Sequence, residues 1–173
     1  MRSALLLLLV LPAASLAQSD DPLDLPELEA VDFTQLSRPA FIDKHEEALS
    51  IGWEPSMQLY ARVDPSLAEI VPPFTWTDDY VETYGCLYDR LKEQEALGEA
   101  NAMFSGLKAS IEYIYAHPDF SILTLAEHEP FIDMLQPSDL YLEASMSCGL
   151  GALNAQAMKD SGLYDAFTAF MSQ

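Results

Sequence analysis

Two cysteines, Cys86 and Cys148, constrain this chain more than any other feature, because each sits beside a glycine in a stretch patterned as helix. Around the first, Tyr80, Tyr84, Leu87 and Leu91 recur at spacings of three and four. That is one apolar helix face. Gly85 lies in its middle, where glycine costs roughly 1 kcal/mol against alanine, so a compensating contact is expected there. Around the second, Tyr141, Ala144, Cys148, Gly151, Ala155 and Met158 share a face of one long helix over 139–160. Most of those residues are small, which lets two helix backbones approach. A disulfide needs its Cα atoms only about 5.5–6 Å apart. The expectation is two helices crossing closely at Cys86 and Cys148. Gly85, Gly149, Gly151, Ala144 and Ala155 then provide the clearance.

Whether the cysteines pair depends on compartment. The chain opens MRSALLLLLVLPAASLAQSDD: one Arg, an apolar run to Leu11, Pro12, then small residues ending at Ala17. This is the three-part layout of a secretory signal peptide, with cleavage after Ala17. The apolar run falls short of the about 20 residues a bilayer span needs, and no other stretch approaches that length. The expected organisation is a signal peptide over 1–17, an acidic mobile arm over 18–31 and a single helical domain over 32–173. No membrane insertion is expected after cleavage. Export carries the cysteines to an oxidising compartment, where an even count implies a disulfide. Closing the loop between them is worth about 4 kcal/mol in the chain-entropy account. Neither Asn101 nor Asn154 begins a glycosylation sequon, so a bacterial periplasm is favoured, with secretion to the medium the other destination.

Charge narrows the partners. Asp and Glu number 28 against 8 Lys and Arg, a net charge of −20. No cationic stripe exists to displace phosphate counterions, which argues against nucleic acid. A basic protein partner is compatible with so acidic a surface.

The rest of the chain reads as helices. Pro39 suits a first turn, with Phe41, Ile42, His45, Ala48 and Leu49 on one face and Gly52 as the stop. Residues 53–75 carry an alternating stretch, SMQLYARV, but no partner strand, so a short helix from Glu54-Pro55 is preferred. Asp64-Pro65 opens another turn, and Pro72-Pro73 makes a rigid connection. Thr77 caps the helix bearing Cys86, and Gly98 ends it. Phe104, Leu107, Ile111 and Ile114 face the core of the next helix, closed by His117-Pro118. Ser121 and Ser138 each begin a further helix. Ser161-Gly162 breaks the chain before a last helix with Leu163, Phe167 and Phe170 on one side. The fold class is all-α: a compact irregular bundle of about five to seven helices with one inter-helix disulfide.

No catalytic signature emerges. SGLK at 105–108 resembles an S-x-x-K motif but lacks its companion motifs. GLGALN at 149–154 imitates a dinucleotide loop without the third glycine or a preceding strand. His45, His117 and His128 stand at no metal-ligand spacing and read as surface or core-edge residues. No cofactor is indicated. Trp53 and Trp76 flank the least regular segment, where a pocket could form. The preferred function is non-catalytic binding to a protein partner. A small exported carboxylate-based hydrolase and a pH-responsive stress chaperone are the alternatives.

Overall fold

The structure, a computed structural model, describes residues 31–134 and 137–172. The proposed signal peptide lies outside the described residues, as does the acidic arm up to residue 30. Val31 packs against the main core.

The first helix begins where the Ser37 hydroxyl accepts the Ala40 N–H at 3.4 Å, with Pro39 in the opening turn. This is a side-chain N-cap. Helix α1 then runs from Arg38 to Ala61, straight through Gly52 and Pro55. Gly52 is therefore not a stop. Its missing side chain makes room for helix α3, Glu99–Ala116: a Cβ there would lie 3.2 Å from Leu107 Cδ1. Pro55 removes one helical N–H, and burial of Trp53, Met57 and Leu59 carries the helix past it. The alternating stretch is thus helical, because α1 is the central element. Helix α3 and helix α2, Asp78–Glu93, both pack on it.

Past α1, Asp64 Oδ1 accepts the Ser66 N–H at 2.8 Å and starts a 3-10 turn over Pro65–Ile70. Helix α2 spans Asp78–Glu93, with Asp78 and Asp79 at its positive end and Arg90 and Lys92 at its negative end, the arrangement the helix dipole favours. It ends before Gly98. Ala96 N–H bonds the Leu91 carbonyl and Glu95 N–H the Lys92 carbonyl, at 2.8 and 3.1 Å. That is a Schellman cap, with Glu95 at φ 54° in the position glycine normally takes. Gly98 instead precedes α3.

A 3-10 turn over Ile122–Glu127, capped by Ser121, leads to the short helix α4, Glu129–Met134. Ser138 Oγ then accepts the Tyr141 N–H at 3.2 Å and opens α5, Asp139–Ser147. The expected long helix over 139–160 is two helices. Gly149, at φ 81°, closes α5 and turns the chain into α6, Leu150–Asp160. Gly162, also at φ 81°, makes the turn into α7, Leu163–Met171. The described residues thus hold seven α-helices and three short 3-10 turns, the first at Phe33–Gln35.

Three apolar clusters hold these helices. The largest joins α1, α2 and α5 through Phe33, Phe41, Tyr84, Leu87, Leu91 and Tyr141. The second places Leu163 of α7 against Trp53, Met57 and Leu67. The third gathers Leu59, Ile114, Phe120 and Phe131. Between clusters, Arg62 reaches from the end of α1 to the carbonyl oxygens of Ile114, His117 and Phe120 at 3.1, 3.0 and 2.9 Å. One guanidinium thus bonds backbone carbonyls at and just beyond the end of α3, at the negative end of its dipole, sharing the His117 carbonyl with the Phe120 N–H.

The expected disulfide is present. Cys86 of α2 joins Cys148, the C-terminal cap of α5, with Cα atoms 5.8 Å apart and a sequence separation of 62.

Candidate functional site

The disulfide fixes more than a helix crossing. Tyr84 lies two residues before Cys86, and Tyr141 lies two turns before Cys148, so the staple sets the distance between two phenols. Both line a partly open cavity of about 210 Å³ between α1, α2, α3, α5 and α6. Helix α1 supplies half of the wall, from His45 to Met57. Met103, Phe104 and Leu107 come from α3, and Asn154 and Met158 from α6. Ser56 is the exposed residue of that wall, so the cavity reaches the surface at the α1 turn that bears it.

One end of the cavity is polar. His45 is 3 % exposed and packs its ring against Phe41 and Tyr84, with centroids 4.2 and 4.5 Å away. Its Nδ1 lies 2.8 Å from the Phe41 carbonyl oxygen and its Nε2 3.3 Å from the Tyr141 hydroxyl. A carbonyl can only accept, so the proton sits on Nδ1, and Nε2 accepts from Tyr141. Burial lowers the His45 pKa to about 4, partly offset by the bond to Phe41. The imidazole is therefore neutral at pH 7. Burial likewise pushes the Tyr141 phenol up. Tyr84 is held well above the ordinary phenol range, first by burial and then by the neighbouring Tyr141 and Tyr80. Both phenols remain protonated donors. Tyr80 donates to Asn154 Oδ1 at 3.1 Å. The Tyr84 hydroxyl stays accessible within the cavity, whereas among the described residues Ser145 Oγ is the buried side-chain polar atom without a hydrogen-bond partner.

No Asp, Glu, Lys or Arg lines this cavity. Its surface is apolar apart from neutral hydrogen-bonding groups, a composition suited to binding rather than to acid–base work by paired carboxylates.

The residues singled out from sequence fall in different places. Gly85 is buried, but a Cβ there would collide with the Arg38 guanidinium, not with α5. Arg38 crosses over this glycine to Asp89, one turn on, at 3.3 Å. The compensating contact for a mid-helix glycine is thus a side chain from α1. Ala144 is buried in the main core beside Tyr141, and Ala155 is half-buried on α6. Gly149 and Gly151 give no clearance: a Cβ at either would meet open space. The turn at Gly149 rotates α6, so Gly151 faces solvent and the small face of a continuous helix does not exist. The close backbone approach occurs elsewhere, at Gly106, where a Cβ would run into the Met134 carbonyl oxygen. GLGALN is accordingly a helix turn followed by α6. His45 is a core residue rather than an edge one. His117 and His128 are half-buried, with Tyr113 hydrogen-bonded to His128 Nδ1 at 2.9 Å. Among the described residues no group of three or more His, Cys, Asp or Glu is placed to hold a metal.

The Trp-flanked segment does border hollows. Trp53 Nε1–H donates to the Pro72 carbonyl at 2.7 Å, and a shallow cleft lies on each side of this bond. Trp76 stacks on Tyr80 and Tyr84, with centroids 5.2 and 5.6 Å apart. Sequence reasoning missed Tyr84, Tyr141 and Asn154 as partners. The signal available was His45 on an apolar helix face, since a buried imidazole requires hydrogen-bonding neighbours.

No protein-family model, curated protein or solved structure matches the chain. Among the described residues no helix is long and apolar enough to cross a membrane.

Proposed function

We propose that the protein is an exported, non-catalytic binding protein whose acidic surface engages a basic protein partner. The observation that supports this most is where the carboxylates stand. None of the described Asp or Glu residues is buried, and none enters the cavity wall. The excess of acidic over basic residues therefore works as a long-range field toward solvent. A carboxylate-based hydrolase has less support, because its two acids must converge on a substrate. The chaperone reading draws on Leu140, Leu142 and Met146 of α5, which are exposed at 43 %, 45 % and 65 %. The test is capture of partners by the chain 18–173 in dilute buffer, followed by association kinetics of the captured protein. A basic partner whose on-rate falls steeply with NaCl supports the proposal, since steering fades beyond a Debye length of about 8–10 Å. A neutral or acidic partner, or binding unchanged in molar salt, contradicts it.

A further inference from the structure

We propose that the cavity between α1, α2, α3, α5 and α6 binds a small uncharged molecule with an apolar ring and one hydroxyl group. Size limits the guest first. A dry engineered cavity of about 150 Å³ accommodates benzene, so about 210 Å³ takes a single ring with one or two substituents. The walls set the ligand's body. Trp53, Phe104 and Leu107 offer apolar surface, and Met57, Met103 and Met158 adapt their shape to a guest.

The polar end sets the head group. Tyr84 is 3 % exposed as a residue and lines the cavity, and its hydroxyl stays accessible there rather than buried without a partner. A ligand oxygen in that open space can accept its proton in place of solvent. Tyr141 gives its proton to His45 Nε2 at 3.3 Å, which leaves the lone pairs of its oxygen available. A hydroxyl accepts from Tyr84 and donates to Tyr141, so it answers both. A carboxylate answers only one, and it would enter a wall with no cation to compensate its desolvation. An ammonium meets no anion there. The tie from Phe41 to His45 to Tyr141 holds this arrangement before any ligand arrives, and Cys86–Cys148 holds the two phenols together. This inference stands apart from the acidic surface and does not depend on a protein partner.

The experiment titrates the oxidised chain 18–173 at pH 7.5 with p-cresol, toluene and benzoate, reading calorimetry and Trp fluorescence, because Trp53 lies in the wall. The same titrations use Tyr84→Phe and two cavity-filling variants, Ala48→Leu and Leu107→Phe, each checked for helicity by circular dichroism. Expected are saturable binding of one p-cresol per chain, weaker binding of toluene and none of benzoate. Tyr84→Phe should weaken p-cresol about fivefold, the value of one hydrogen bond, while leaving toluene unchanged. Either filling variant that folds should lose both ligands. The proposal is overturned if p-cresol shows no saturable binding, if benzoate binds as well as p-cresol, or if both folded filling variants bind p-cresol as the wild type does.

Discussion

His45 carries the sharpest residue-scale consequence. In the unfolded chain it titrates near the ordinary value of about 6.5, while in the fold burial lowers it to about 4. Between those values the unfolded state binds more protons, so stability falls as pH drops through that window and is unaffected above it. The full loss is on the order of 3 kcal/mol. The groups that face the imidazole are Tyr84, Tyr141 and the Phe41 carbonyl, and none of these is charged. Urea unfolding of wild type and His45→Gln at pH 7.5, 5.5 and 4.5 checks this. The wild type should lose stability relative to the variant as pH falls, whatever the variant's absolute stability. Parallel pH profiles would show that His45 does not stay neutral.

At the scale of elements, the helices and most of their starts were legible because they rest on local chemistry. Asp64 and Ser138 cap where they were expected to, Thr77 precedes α2 but makes no side-chain cap hydrogen bond, and His117 ends α3. Glycines were misread because the same residue can end a helix, turn it or admit a neighbour, and only tertiary packing decides. Gly149 turns the chain, Gly151 faces solvent, and Gly52 and Gly106 admit neighbours. Two expectations follow. Gly106→Ala should destabilise by about 1–3 kcal/mol or more, since backbone must move away from the new methyl group. Gly151→Ala should be neutral or gain up to about 1 kcal/mol. Equal effects in a denaturant series would contradict the packing of α3 on Met134. The cap of α2 gives a further expectation. Glu95 takes a left-handed conformation and places a negative charge at a helix C-terminus, so Glu95→Gly should raise stability by about 1 kcal/mol. A lower urea midpoint in that variant would contradict the cap.

For the whole molecule, the disulfide was legible from an even cysteine count in helix-patterned stretches, whereas the cavity was not. Its polar end joins His45, Tyr84, Tyr141 and Asn154, which lie on four different helices. No spacing in the chain brings those together. The staple matters both to stability and to this site. It closes a 62-residue separation, worth about 4 kcal/mol through loop entropy, and it links the helices that carry the two phenols. Thiol titration of the unfolded, unreduced chain should therefore find close to none, and a reductant should lower the urea midpoint. Two reactive thiols per chain would contradict the pairing.

The central claim is that the cavity's polar end is uncharged and preset, with the His45 proton on Nδ1 and Nε2 accepting from Tyr141. Nitrogen-15 NMR of the imidazole tests it directly. The account predicts a neutral Nδ1–H tautomer for His45 at pH 7, unchanged down to about pH 5, with protonation only as pH nears about 4. An Nε2–H tautomer, or a His45 resonance titrating near the ordinary value of about 6.5, would contradict it.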